Sequence, residues 1–224
     1  MLLTISGVIP KPQLERVRQL LQRGNFQDGK LSAGLEAMRV KNNEEMVQEA
    51  ELYSALNNIV MGCLVQHPVY QQAALPRRIA APYYARYTEG MRYGDHIDDP
   101  IMGNGNDRYR SDVSTTVFLS GPDEYDGGEL VIRSNFGEHA IKLAAGDAVI
   151  YPSSSLHHIN AVTHGARLVA VTWAQSLIRD PNQRELLYQL SQARAKLMRD
   201  KPEADETGWV SNSYANLVRM WSEV

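Results

Sequence analysis

Residues 94–99 read Gly-Asp-His-Ile-Asp-Asp. On an extended strand, residues two apart project to the same face, so His96 and Asp98 present an imidazole and a carboxylate side by side. One more nitrogen donor would place two nitrogens and one carboxylate on one face of a metal ion. That facial set leaves coordination positions open and is the pattern of non-haem iron(II) sites. The candidates for the third donor are His157 and His158. Neighbours on a strand point to opposite faces, so one of the two reaches the ion, and spacing alone does not say which. An H-x-D pair by itself also occurs as an ordinary solvated pair.

Arg167 adds weight to the metal reading. It opens the apolar run Leu168-Val169-Ala170-Val171-Thr172-Trp173, where a charged side chain must reach an edge or find a partner. A guanidinium inside such a strand suits a bidentate grip on a carboxylate; the plainer alternative is a strand-end salt bridge. Gly103-Asn104-Gly105-Asn106 lacks the Lys-Ser/Thr of a phosphate loop. It reads as a mobile loop beside the metal, flanked by Arg108 and Arg110, which either contact substrate or stand as solvated charges. Gly127 and Gly128 read as a hairpin turn, and His67 and His139 as surface histidines. Cys63 falls on an apolar helical stripe and reads as a buried, inert thiol.

Positioning these groups calls for strands. From Ile79 onward, short runs rich in Val, Ile, Thr and Tyr alternate with glycine-bearing turns. The expected strands are residues 83–88, 113–119, 129–132, 139–143, 148–151 and 168–173. No helical pattern intervenes to make parallel crossovers, so a barrel or sandwich is expected. The ends are helical. Leu14, Val17, Leu20 and Leu21 mark a first helix, followed by a loop over residues 25–34 and a second helix over residues 44–66, ended by Pro68. Asp180-Pro181 reads as a cap and first-turn pair. Beyond it, Leu186, Leu190, Ala193 and Leu197, then Tyr214, Leu217, Val218 and Trp221, form two stripes around a polar linker at 201–208. Short amphipathic helices need a surface to cover. Packing within the chain and a homo-oligomer through the C-terminal helices are both consistent with the stripes, and the oligomer is the expectation carried forward.

The 224 residues include 23 Lys and Arg against 26 Asp and Glu, a formal net charge of -3. No basic footprint for nucleic acid or an anionic membrane is present. One cysteine excludes an intramolecular disulfide or a multi-cysteine cluster and suits a reducing compartment. The first ten residues lack the charged start and long apolar run of a secretory leader. The expectation is a cytoplasmic protein that neither spans a membrane nor binds nucleic acid.

In chain order, five motifs resemble the Fe(II)- and 2-oxoglutarate-dependent dioxygenases, and among them the bacterial PKHD-type hydroxylases. They are His96-Ile97-Asp98, Asp126-Gly127-Gly128-Glu129-Leu130, Ala145-Gly146-Asp147-Ala148-Val149-Ile150-Tyr151-Pro152-Ser153, Leu156-His157, and Val162-Thr163-His164-Gly165-Ala166-Arg167. His164 stands where relatives often carry another polar residue. The resemblance is strongest over residues 79–178 and extends to both helical ends. It implies a mainly β fold with α: a double-stranded β-helix (jelly-roll) core over residues 78–178. An N-terminal helical segment (1–77) and a C-terminal helical tail (179–224) would flank it.

The resemblance also implies His96, Asp98 and His157 as the metal ligands, leaving His158 as the outward neighbour. It implies Arg167 as the residue holding the distal carboxylate of 2-oxoglutarate, with Tyr87 near that cosubstrate and Tyr83, Tyr84 and Tyr93 close in sequence. The chemistry implied is hydroxylation using O2, Fe(2+) and 2-oxoglutarate, with L-ascorbate as reductant. The substrate would be a peptidyl residue, a siderophore or a small metabolite, with a link to iron homeostasis. The rival readings are a cupin-like metal-binding protein, which would normally offer three histidines and a glutamate, and a non-catalytic iron or 2-oxoglutarate sensor.

Overall fold

The computed structural model describes residues 1–224 and contains two main antiparallel sheets. The larger runs Leu3–Ile5, Ala148–Pro152, Val113–Phe118, Arg167–Ser176, Tyr83–Tyr87, Glu44–Met46 and Phe26–Asp28, with Pro76–Ile79 pairing the far end of Arg167–Ser176. The smaller runs Gly137–Ile141, Leu130–Ser134, His157–Ile159, Arg92–His96 and Lys41–Asn42. Two ribbons complete the β structure, Tyr125–Gly127 with Val162–Gly165 and Ile101–Met102 with Tyr109–Arg110.

Alternation along the strands builds two cores. Tyr84, Val117, Ala148, Ile150, Ala170 and Ala174 face outward from the larger sheet, onto helices. Their neighbours Ala85, Phe118, Val149 and Val169 face inward and meet Leu130, Ile132 and Ile159 of the smaller sheet. Strand Val113–Phe118 is thus buried on both faces along its whole length. The helices before the barrel are α1 (Lys11–Leu21), α2 (Leu35–Met38), α3 (Ala50–Gln66) and α4 (Pro68–Ala74), of which α1, α3 and α4 cover the outer core, and after it come α5 (Pro181–Asp200) and α6 (Asp205–Trp221). In α3, Leu56, Val60 and Leu64 recur every fourth residue and are buried; each stabilises by about 1.5–3 kcal/mol.

The jelly-roll expectation holds, and so do the main strands to within a few residues. The N-terminal stretch departs from it. Residues 25–34 hold a strand, Phe26–Asp28, and a tight turn, Gly29–Ser32, in which the Asp28 carboxylate accepts the Lys30 amide at 2.9 Å. The second helix starts at Ala50, because Glu44–Met46 is a strand. Glu44 there binds Arg86 of the neighbouring strand at 2.7 Å while Met46 points into the core. Cys63 is half-buried against that core, and burial raises its pKa, consistent with an inert thiol.

At the tail, Asp180 caps α5 as expected, accepting the amides of Asn182 and Gln183 at 2.7 and 3.1 Å. The expected stripe is displaced. Arg184, Leu187 and Ser191 are the buried residues of α5, whereas Leu186 is 55% exposed. The reason is polar: Arg184 lies against the barrel and donates to main-chain carbonyls there. No helix is long and apolar enough to cross a membrane.

Candidate metal centre and cosubstrate pocket

His96 ends one strand of the smaller sheet, and His157 opens its neighbour directly opposite. Asp98 follows two residues after His96, as the H-x-D spacing requires. The three donor atoms lie within 4.8 Å of one another. His96 Nε2 is 4.0 Å and His157 Nε2 3.8 Å from Asp98 Oδ1, and the three side chains are no more than 9% exposed.

Main-chain contacts fix which nitrogens face inward. His96 Nδ1 lies 2.8 Å from Gly94 O, and His157 Nδ1 lies 2.9 Å from Ser155 O. A carbonyl only accepts, so each Nδ1 carries the hydrogen and each Nε2 turns a lone pair toward Asp98. Burial, reinforced by the nearby His157, pushes the His96 pKa down to about 4, so this ring is neutral near pH 7. Tyr93 stacks on His96 with ring centres 3.6 Å apart, and Tyr151 meets His157 edge-on at 5.1 Å.

Asp98 has its own support. The fully buried Ser114 hydroxyl donates to Asp98 Oδ2. Ser153 Oγ lies 2.8 Å from Ser114 Oγ. Since Ser114 spends its single hydrogen on the carboxylate, Ser153 supplies the second bond. Oδ2 is thereby occupied and Oδ1 is left facing the histidines.

His158 points the other way, as strand alternation demands. Its Nδ1 is 2.9 Å from Asp95 Oδ1 and its Nε2 3.1 Å from Asn160 Oδ1.

Arg167 is 1% exposed. It pairs with Tyr87 across adjacent strands, its guanidinium carbon 5.0 Å from the Tyr87 ring centre and 5.6 Å from that of Phe118. Its Nε has no hydrogen-bond partner in the protein, and Arg167 belongs to none of the chain's ion pairs. A buried guanidinium faced by aromatic rings and no carboxylate is a site prepared for an anion. Burial pushes the Tyr87 hydroxyl up to about 12, so it stays protonated beside the arginine. Tyr83 and Tyr93 also line this cavity. Tyr84 does not: it faces the helices and binds Asn57 at 2.9 Å.

One cavity of about 540 Å³ joins His96, Asp98 and His157 to Arg167 and Tyr87. Its remaining wall is rich in aromatic and apolar groups, among them Tyr53, Tyr83, Tyr109, Met102 and Trp173. Gly103 lines it, but Arg108 and Arg110 do not. A buried Lys41–Glu45 pair, 2.5 Å apart, also lies on this wall. Gly127 and Gly128 make no hairpin, because Tyr125–Gly127 pairs with Val162–Gly165 and Leu130–Ser134 pairs with Gly137–Ile141 and His157–Ile159; the chain crosses between sheets there. Both glycines have positive φ, and a Cβ on Gly127 would sit 2.1 Å from Ala161 O.

The sequence assigns no role to Ser114 or Lys41, and names Tyr151 and Ser153 only as members of a longer motif. Polar residues at alternate positions of a central strand, Ser114 and Thr116, were the available signal.

Two imidazoles, each with Nδ1 turned to a main-chain carbonyl, and one carboxylate suit a divalent ion with open positions. The unpartnered Arg167 suits a carboxylate of a second ligand. A cupin-type set of three histidines and a glutamate is absent: His96, Asp98 and His157 are the cluster that converges.

The sequence matches the 2OG-Fe(II) oxygenase superfamily over residues 82–175 and the PKHD-type hydroxylase C-terminal domain over residues 182–223. A PKHD-type hydroxylase of Thioalkalivibrio sulfidiphilus is 50% identical over 224 residues, covering 100% of both chains. Among solved structures, a prolyl hydroxylase from Trichoplax adhaerens in complex with a hypoxia inducible factor peptide fragment shares the fold with a TM-score of 0.56. It is 16% identical, over 83% of this chain and 86% of that one. A Pseudomonas putida prolyl-4-hydroxylase aligns with a TM-score of 0.54 at 17% identity, covering 78% of this chain and 92% of that one.

Proposed function

The chain belongs to the PKHD-type hydroxylases of the 2OG-Fe(II) oxygenase superfamily, and from that premise we propose a role for each residue of its cavity. The enzyme is a 2-oxoglutarate-dependent dioxygenase. His96 Nε2, Asp98 Oδ1 and His157 Nε2 hold Fe(II). Arg167 binds the distal carboxylate of 2-oxoglutarate, with the Tyr87 hydroxyl as a second, neutral contact. When bound, iron and 2-oxoglutarate together supply an oxidant, made from O2 with loss of carbon dioxide and formation of succinate, that hydroxylates a C–H bond.

The protein's own residues set the conditions. The Nδ1 contacts to Gly94 and Ser155 keep both imidazoles in the ligating tautomer. Ser114 orients the carboxylate. The low exposure of these side chains keeps bulk water from the reacting centre, which protects the protein from its own oxidant. The substrate occupies the aromatic part of the cavity and is a peptidyl residue, a siderophore or a small metabolite. Ascorbate serves as reductant, and the activity is linked to iron homeostasis. The C-terminal helices, which leave Leu186, Trp209 and Met220 more than half exposed, join copies of the chain.

The observation that carries this reading is the buried, unpartnered guanidinium of Arg167 in the same cavity as a two-histidine, one-carboxylate cluster. The test is succinate formation from 2-oxoglutarate. It should require Fe(II) and fail in the Arg167→Ala variant. Succinate-independent iron binding with no 2-oxoglutarate turnover under any reductant would favour a sensor.

A further inference from the structure

The hairpin formed by Ile101–Met102 and Tyr109–Arg110 supplies part of the cavity wall through Met102, Gly103 and Tyr109. Its strands are two residues each, too short to hold a wall unaided. Polar anchors at its base and near its tip hold it instead. Ser111 Oγ donates to Asp99 O at 2.5 Å and closes the base, and Arg78 reaches Asp107 near the tip at 3.1 Å. Arg110 forks onto the buried Asp112 at 2.7 and 3.1 Å and also reaches Glu223 at 2.9 Å.

The C-terminal tail converges on this fork from two directions. Arg184, in the first turn of α5 and 4% exposed, donates to Asp112 O at 3.1 Å and to Ile178 O at 2.7 Å. Glu223, just beyond α6, is seated by its own amide, which donates to Leu177 O at 2.8 Å. Asp112 further accepts the Ser176 amide at 2.9 Å. A lone half-exposed ion pair would contribute little. Here a bidentate arginine, a buried carboxylate and main-chain bonds form one connected network, which holds geometry better than any single pair.

We propose that Arg110 and Asp112 are positioning residues through which the C-terminal tail fixes the substrate-side wall of the cavity. Neither touches the reacting atoms. The proposal rests on reading that cavity as the substrate site, and its test is read out separately from turnover.

Hydrogen exchange measured by mass spectrometry on the full-length protein decides it, comparing the parent with Arg110→Met, Arg110→Lys and Glu223→Gln. Arg110→Met should speed exchange over residues 100–110 by about tenfold, and Glu223→Gln should do so by about threefold in the same segment. Arg110→Lys, which keeps the charge without the fork, should restore part of the protection. Exchange in strand Val113–Phe118, and the affinities for Mn(II) and 2-oxoglutarate, should stay unchanged. Unaltered hairpin exchange in both Arg110→Met and Glu223→Gln would overturn the proposal. So would acceleration spread equally through Val113–Phe118, since the network would then serve stability alone. A parent protein that makes no succinate would remove the functional reading while leaving the exchange pattern to decide the coupling.

Discussion

Asp95 Oδ1 and His158 Nδ1 lie 2.9 Å apart on the outer side of the smaller sheet, directly behind His96 and His157. Each is the chain neighbour of one of those histidines, so Asp95 and His158 face each other on the outer side at the level where His96 and His157 do on the inner side. Arg133 adds a contact to Asp95 at 2.7 Å.

This arrangement puts two adjacent histidines on opposite faces of the sheet. His96→Ala, Asp98→Ala and His157→Ala should each abolish Mn(II) or Fe(II) binding, measured by calorimetry. His158→Ala should keep the ion and lose about 1 kcal/mol or less in denaturant unfolding, because its carboxylate partner is 44% exposed. Loss of the ion in His158→Ala with retention in His157→Ala would reverse the assignment.

Arg167→Ala should leave metal binding intact and cripple 2-oxoglutarate binding. Removing one partner of a buried charge pair costs about 3–5 kcal/mol, or more than a hundredfold in affinity. Arg167→Lys should recover little, since an ammonium lacks the planar fork. A 2-oxoglutarate titration on the metal-loaded variants checks both, and unchanged affinity in Arg167→Ala would refute the role.

Ser114→Ala should weaken Mn(II) by about 10–100-fold, the usual cost of losing a group that orients a ligand. Ser153→Ala, one bond further away, should do less. Circular dichroism of both variants should match the parent. Equal metal affinity in Ser114→Ala and parent would show that Asp98 needs no such support.

The tail prediction concerns assembly. Full-length protein should sediment as an oligomer at micromolar concentration, and Trp209→Ser with Met220→Ser should shift it toward monomer without loss of Mn(II). Both residues are solvent-facing within the chain, so the double variant leaves the fold intact. A monomeric parent would end this expectation.

How legible these features were depended on the physics behind each. The strands carrying Arg167 and Val113 show in the sequence because Val and Thr recur through them, at Val113, Thr115, Thr116 and Val117 and at Val169, Val171 and Thr172. The H-x-D pair is visible since both side chains share one face. The choice of His157 over His158 came from resemblance; in the fold, His157 is 4% exposed and faces His96. The strands at Phe26, Lys41 and Glu44 are only two or three residues long, too short for alternation to show. The buried face of α5 was misread because its key member is Arg184, and an apolar stripe does not register a guanidinium seated on carbonyls. Ser114 escaped notice for a similar reason. Its importance lies in a bond to a residue 16 positions away, which no local pattern encodes.

Strand Leu3–Ile5 closes the edge of the larger sheet against Ala148–Pro152, and the Gly7 amide donates to Asp147 Oδ1 at 2.7 Å across 140 positions. During translation this segment emerges well before its partner strand, which follows some 140 positions later in the chain. Until then Ile5, Val8 and Ile9, all destined for full burial, stay accessible to chaperones or to other nascent chains. Closing so long a loop also carries an entropic cost that local helices such as α1 avoid. These residues are therefore made long before the strand they dock on, and the period of greatest aggregation risk falls before the sheet's edge is sealed.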